Sequence, residues 1–338
     1  MTVFIYTTQT AHGIVVIVNN LVAAFQREGV NSIHITNLDN RIKDDIIIPY
    51  GVKEAHEVLR KGFKPFAVFL ADAITLGYVN KVKFYLRHLH FFHYDFLYCL
   101  YGYLKYTGQE KTVVSNYENV ILVSDIDIKY LKEKYPMSTC SYMCVANGAP
   151  VIRNIKDHIH AKYFRVGLLS SWVTRQTFEE SNWFVQGYWR KYHKTHPNVS
   201  LCVAGRGALS EKFAKVPGVN VIGEVADLGD FFANCDISLL LCPKGCGVLN
   251  RVLDSFVYKV PVVGYEASFS GFPHSDGICY KFTSYLSFEQ TMNHVMNNKE
   301  EVLAIADKAL EYTKEYHNWE RNYNLLVKRL ICELNHNA

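Results

Sequence analysis

Short β-type runs alternate with helical patterns along nearly the whole chain, and this alternation constrains the fold more than any other feature. In the first half such runs occupy residues 2–6, 32–36, 45–48 and 66–70, with an amphipathic helical stretch over 14–27. Two more, at 119–123 and 142–146, enclose a helix opening at Ser124, where Asp127 completes a variant capping box. The second half repeats the pattern with runs at 163–168, 199–204, 219–222, 236–241 and 260–264. Between them lie a long helix ending near His196-Pro197, a helix after Gly207, a short one at 228–233 and one over 247–258. Parallel strands need crossover helices, so this rhythm predicts parallel sheets covered on both faces.

Asn147-Gly148-Ala149-Pro150 is a strong breaker cluster, and the stretch up to residue 162 keeps no clear period. The expected division is a first unit over 1–150, a linker over 151–162 and a second unit over 163–315. A tail helix over 316–338, with Trp319 and the stripe Leu325, Leu326 and Leu330, is expected to pack back across the domains. The length of 338 residues suits two doubly wound α/β units, and 49% hydrophobic against 20% charged residues supplies their cores. Ligands of such sheets sit outside the carboxyl ends of the strands, so function should map to strand-end loops facing the cleft.

Composition narrows the setting. A net charge of +4 is too small to imply a nucleic-acid coat. Nine cysteines without a C-x-x-C pair argue against a disulfide framework and for a reducing, cytoplasmic compartment. The opening MTVFIYTTQT reads as a buried strand rather than a signal peptide, and no apolar run approaches the ~20 residues of a membrane-crossing helix.

The segment Cys242-Pro243-Lys244-Gly245-Cys246-Gly247-Val248-Leu249-Asn250-Arg251-Val252-Leu253-Asp254 carries the chemistry. It passes from an apolar strand through a glycine loop into a helix, and Pro261-Val262-Val263-Gly264 begins the next strand. Glycines let the backbone approach an anion, and a new helix offers unpaired N–H groups at the positive end of its dipole. The backbone of Gly245, Cys246, Gly247, Val248, Leu249 and Asn250 is therefore read as a diphosphate seat. Arg251 adds a fixed positive charge, and Asp254, on the same helical face, can accept from a ribose diol.

This segment resembles the signature of family-4 GT-B glycosyltransferases, G-x-G-x-x-x-K-x-L-E-A followed by G-x-P-V-V. Gly245, Gly247, Arg251, Leu253, Asp254 and Pro261-Val262-Val263 fall on the pattern. Arg251 stands for the usual Lys, Asp254 for Glu and Lys259 for Gly, while Cys246 stands where other members carry a second Glu. Further pieces follow in the family's order. They are Val123-Ser124-Asp125-Ile126-Asp127, Val145-Ala146-Asn147-Gly148, Val166-Gly167-Leu168, Leu201 through Gly207, and Gly223-Glu224-Val225.

The resemblance implies a GT-B fold, a nucleotide-sugar donor carrying UDP or GDP, anomeric retention and transfer without a required cofactor or metal. It implies that Ser170, Ser171 and Trp172, after a strand end, contact donor phosphate or sugar. The turn bearing Arg206 lies beside the nucleotide, and Gly223, Glu224 and Val225 lie on the base side. Gly13, after the first strand, leaves room for the diphosphate from the opposite domain, and Asp72, at a cleft-facing strand end, touches donor or acceptor sugar. Arg175, just beyond Trp172, stands either as a further donor contact or as part of a solvated loop, and Glu224 either as a base-side contact or as a surface charge.

Residues 81–106 are rich in aromatics and bases. Two readings are open: a membrane-surface helix that brings the enzyme to a lipid-linked acceptor, and a core helix, the aromatics keeping to no single face in the sequence. His88, His90 and His93 lack metal-site spacing and are read as structural. The functional expectation is a retaining hexosyltransferase using a glycan or glycolipid acceptor in surface polysaccharide assembly, in the cytoplasm or at the cytoplasmic face of a membrane. Two alternatives stand beside it: a GT-B-shaped sugar-nucleotide epimerase, which would need carboxylates placed for proton chemistry, and an inactive GT-B-like partner subunit.

Overall fold

The computed structural model describes residues 2–39, 45–88, 93–152, 155 and 163–336. Of the linker expected over 151–162, residues 153, 154 and 156–162 lie outside that set, as do 89–92 of the aromatic stretch, His90 included.

The first half contains β1 (Thr2–Tyr6), α1 (His12–Arg27), β2 (Asn31–Ile35), β3 (Ile46–Pro49), α2 (Val52–Arg60) and β4 (Ala67–Ala71). It continues with α3 (Ile74–His88), α4 (Tyr94–Asn116), β5 (Asn119–Leu122), α5 (Asp125–Lys134) and β6 (Ser141–Cys144). Its strands form two parallel three-stranded sheets, β2-β1-β3 and β4-β5-β6. The parallel bridge between Tyr50 and Phe69 and the Gly51 N–H donated to Phe69 O at 2.8 Å join them edge to edge. Strand β4 reads as an unbroken apolar run, and β5 as one after Asn119, because helices cover both faces.

The second half contains β7 (Phe164–Leu169), α6 (Arg175–Trp183), α7 (Arg190–Thr195), β8 (Val199–Ala204), β9 (Val219–Gly223) and α8 (Leu228–Ala233). Then follow β10 (Ile237–Leu240), α9 (Asn250–Val257), β11 (Val262–Tyr265), β12 (Tyr280–Phe282), α10 (Tyr285–Asn297), α11 (Lys299–Tyr316) and α12 (Trp319–His336). The six-stranded parallel sheet runs β9-β8-β7-β10-β11-β12. The order reverses between β7 and β10, and that switch point is where a doubly wound sheet opens a crevice for a ligand.

Several boundaries differ from the sequence reading. The long helix is interrupted by a π-helical turn, Phe184–Trp189, between α6 and α7. The helix after Gly207 is a 3₁₀ turn, Ala208–Phe213. Ser124 does not cap α5, since its hydroxyl donates to the Asp127 carboxylate instead of accepting a backbone N–H. The tail helix expected over 316–338 is α12, Trp319–His336, set off from α11 by His317 and Asn318. Leu326 and Leu330 join the core formed by Val3, Ile5 and Phe25, so α12 packs on the first half as expected, but Leu325 is exposed.

Where the chain leaves and re-enters the first half, its two crossings are tied together. Ala149 N–H donates to His317 O at 2.8 Å, and His317 Nδ1–H donates to Asn147 O at 2.7 Å. A second contact between halves comes from the α3–α4 hairpin, whose Phe84, Tyr85 and Cys99 enter the core of the second half beside Trp183. There Lys81 pairs with Glu180 of α6 at 2.7 Å, both largely buried.

Candidate functional site

The loop after β10 does not enter a helix at Gly247. Gly245 and Gly247 hold φ of 58° and 63°, a left-handed conformation unfavourable for a side chain, and Leu249 is extended, so α9 starts only at Asn250. Arg251 is therefore the second residue of α9 rather than one turn in. Its Nη1 donates to Ser170 Oγ at 2.6 Å and to Leu169 O at 3.1 Å, joining the end of β7 to the start of α9 across the switch point. Ser255 fixes the helix in turn, its hydroxyl hydrogen-bonded with Arg251 O at 2.9 Å and with Ser238 Oγ of β10 at 2.8 Å. Asp254 is half-buried one turn beyond Arg251.

The glycine loop is engaged by the opposite half. Gly247 N–H donates to Asp127 Oδ2 at 2.8 Å, while Ala73 N–H donates to Asp127 Oδ1 at 2.9 Å. Asp127 has no exposed surface, and burial pushes its carboxyl above the usual range despite these donors. Asn80 donates through Nδ2 to the carbonyls of Lys244 and Gly245 at 3.0 and 3.2 Å, and Lys244 pairs with Asp72. The Gly247 amide, read from the sequence as a phosphate donor, is thus committed to a carboxylate here.

Other residues of the expected seat fall into two groups. Gly13 faces the cleft: a Cβ there would stand 3.5 Å from Asn250 Nδ2, and Asn147 donates to Asn250 Oδ1 at 3.2 Å. Ser171, Arg206 and Glu224 are exposed, and Gly223 and Val225 half-exposed, on the loops that end β7, β8 and β9. The Gly205 N–H to Gly223 O bond at 2.7 Å and the Trp172 N–H to Arg206 O bond at 2.7 Å hold these loops together.

Four side chains of the expected seat, those of Trp172, Cys246, Val248 and Leu249, turn inward. Trp172 is wholly buried against Phe213, with its indole N–H satisfied by Ala204 O at 2.8 Å, so the side chain cannot touch a ligand. Cys246 is buried beneath Gly77 of α3, where burial pushes its thiol well up and keeps it neutral. Val248 and Leu249 turn their side chains into apolar clusters. Arg175 closes on Asp95 at 3.6 Å and over the Tyr94 ring, away from the switch point.

Two cavities flank the loop. One, about 530 Å³, opens at the carboxyl ends of β1, β3 and β4, lined by Thr8, Gln9, Tyr50, Glu54, Asp72 and Lys244. Glu54, almost fully buried, accepts from Thr8 Oγ1 at 2.7 Å and Gln9 Nε2 at 3.3 Å. The other, about 410 Å³, lies between α3 and the loop after β11, with Asn80, Lys83, Arg87, Glu266 and Ser270 in its wall. Among the described residues no group of three or more His, Cys, Asp or Glu gathers in metal-binding geometry. Sequence reasoning missed Lys244, Glu54 and Asn80 as site residues. Lys244 stood within the glycine segment, whereas the partners of the other two are 45 to 165 residues away and leave no local signal.

No family model matches this sequence, and no curated protein matches it. Solved structures do. Sucrose-phosphate synthase from Thermosynechococcus elongatus superposes with a TM-score of 0.72 at 10% identity over 100% of both chains. Anabaena HepE, solved with UDP and glucose, gives 0.63 at 10% identity over 98% of this chain and 100% of its own. WaaG, described as a glycosyltransferase involved in lipopolysaccharide biosynthesis, gives 0.58 at 14% identity over 96% and 99%. The likeness is one of fold: two Rossmann-like halves facing across a cleft in the GT-B arrangement.

Proposed function

We propose that this chain is a retaining glycosyltransferase moving a hexose-type residue from a UDP- or GDP-sugar to a hydroxyl of a glycan or glycolipid, in surface polysaccharide assembly. The observation that carries the proposal is the contact of Arg251 with Ser170, which sets a guanidinium over the switch point of the second sheet. In this reading the second half, 163–315, binds the donor and the first, 1–150, the acceptor; 151–162 links them, and 316–338 returns to the first. HepE's complex with UDP and glucose supports a donor of this class.

Chemistry at that point requires charge to build on a departing diphosphate. Arg251, the start of α9 and the Ser170 and Ser171 hydroxyls can offset it without a required metal, and stabilising the leaving group is the main catalytic contribution. Asp254 accepts from the ribose diol, and Glu224 with Val225 faces the base. The cavity beside Asp72, with its Thr8, Gln9 and Glu54 hydrogen-bonding groups, suits the hydroxyls of an acceptor sugar. The Gly247–Asp127 and Asn80–Gly245 bonds support a closed state that excludes water during transfer. Free cysteines throughout support a reducing cytoplasmic setting.

Calorimetric titration with UDP and with GDP, then with a panel of their sugars, tests the reading. Nucleotide binding with slow sugar release in the absence of acceptor supports a transferase. Interconversion of the donor would instead support the epimerase, and neither reaction the partner subunit. Absence of any nucleotide binding overturns the proposal.

A further inference from the structure

The α3–α4 hairpin carries an apolar face that no described residue covers. Its helices are antiparallel, with Tyr78 stacked on Tyr106 near one end and Tyr85 on His93 near the other. The aromatics, which keep to no single face by inspection of the sequence, separate cleanly in three dimensions. Phe84, Tyr85 and Cys99 turn inward, whereas Tyr94, Leu97, Tyr98, Tyr101 and Leu104 are each 48 to 66% exposed. Their spacing of three and four residues puts these five side chains on one stripe of α4, and Leu86 of α3 is exposed as well.

Charge on the hairpin is one-sided. Its only acidic residues, Asp95 and Glu110, are buried, while Lys83, Arg87, Lys105 and Lys111 are exposed. Arg175, beside the Tyr94 ring, is already paired with Asp95 and Glu179 and adds no uncompensated charge. An apolar stripe bearing tyrosines, with cations that form no ion pair among the described residues, matches the interface of an anionic bilayer, where rings sit at headgroup level and Lys and Arg meet phosphates. Among the described residues no helix is long and apolar enough to cross a membrane, so α4 would lie on the surface rather than span it.

We infer that the α3–α4 hairpin docks this protein on an anionic lipid bilayer through the Tyr94–Leu97–Tyr98–Tyr101–Leu104 stripe and its flanking cations. The inference does not depend on the sugar-transfer reaction. It is tested by co-sedimentation of the full chain with vesicles of equal parts phosphatidylglycerol and phosphatidylcholine, and with phosphatidylcholine alone. The wild type binds the anionic vesicles and not the neutral ones. A Leu97→Ser/Tyr101→Ser/Leu104→Ser variant loses that binding. A Lys105→Gln/Lys111→Gln variant binds roughly twenty-five-fold more weakly, at about fivefold per cation. Thermal unfolding and UDP titration, unchanged in both variants, certify that they are folded. Failure of the wild type to bind anionic vesicles overturns the inference, as does equal binding by the serine variant. So does a wild-type dimer that the serine variant converts to monomer without any vesicle binding, which would assign the face to a second copy of the chain.

Discussion

Asp127, in the first turn of α5, accepts the backbone N–H of Gly247 at 2.8 Å from across the cleft, so a carboxylate of one half holds the glycine loop of the other. The same carboxylate takes Ala73 N–H and the Ser124 hydroxyl. Removing it leaves two buried backbone donors without partners, each worth about 1 to 3 kcal/mol. Asp127→Ala is expected to lose about 2 to 4 kcal/mol in urea unfolding. Asp127→Asn, which keeps one accepting oxygen, should lose about half as much. An unchanged midpoint in the alanine variant would show that the bond across the cleft contributes nothing to the folded state.

Arg251 sets a guanidinium at the switch point, and its Ser170 contact pre-orients it. Arg251→Ala should weaken nucleotide diphosphate binding by about 1.5 to 3 kcal/mol, the range of a charge-assisted hydrogen bond. Arg251→Lys should recover part of the loss, since it restores the charge without the planar fork. Calorimetry with UDP and GDP measures both. If the alanine variant titrates like the wild type, the diphosphate sits elsewhere.

The fold was legible because apolar runs bounded by breakers carry it. β1, β8 and α8 begin and end where the pattern places them, at 2–6, 199–204 and 228–233. Contacts at the site were legible only where they follow the chain. Asp127 lies three residues after Ser124, so it reads as a capping residue, whereas its partner Gly247 is 120 residues away. The start of α9 was misplaced because Gly247 satisfies a helix-start pattern while its left-handed φ keeps it outside the helix. Trp172 follows a strand end like a ligand contact, but only the fold shows that its ring points into the core. The α3–α4 aromatics divide into two faces once the second half supplies a core for one of them.

Lys259 occupies the place of the Gly in the resembling signature, and it adopts φ of 56°. A side chain in that conformation costs about 1 to 2 kcal/mol, of which the greater unfolded-state freedom of Gly returns about 0.5 to 1. Lys259 also forms a surface ion pair with Asp307, which replacement by either Gly or Ala abolishes. The difference between Lys259→Gly and Lys259→Ala is therefore free of that pair. The glycine variant should be the more stable of the two by about 1 kcal/mol in denaturant unfolding. An alanine variant of equal stability would mean that the backbone there is not strained.

Lys244 and Asp72 form an ion pair across the cleft, at the edge of the 530 Å³ cavity. Both side chains keep partial access to water, so their contribution to stability is small, up to about 1 kcal/mol. Their effect should fall on transfer instead. Lys244→Met should free Asp72 and change the KM for acceptor while leaving nucleotide affinity within about twofold, an energy of ~0.4 kcal/mol. Parallel loss of nucleotide affinity would assign Lys244 to the donor rather than to the acceptor side.

His317, at the second crossing between halves, donates Nδ1–H to Asn147 O, while its buried Nε2 has no partner among the described residues and faces Phe272 and Tyr312. Burial pulls its pKa below the ordinary value, and the Asn147 carbonyl only partly offsets this. The folded state therefore binds fewer protons than the unfolded chain. The resulting stability is full above the unfolded value, about 6.5, and is lost as pH falls through the depressed folded value. His88, packed against Trp183, is depressed in the same direction, chiefly by burial. Asp127 and Glu110 carry raised values of opposite sign, adding stability at low pH that is lost as pH rises, so a single curve mixes these contributions. His317→Asn separates them, because its amide can still donate to Asn147 O but does not titrate. From about pH 7 to about pH 5 the melting temperature of the wild type should fall relative to that of the variant. Parallel curves over that range would show that His317 is not the group that acid charges at the crossing.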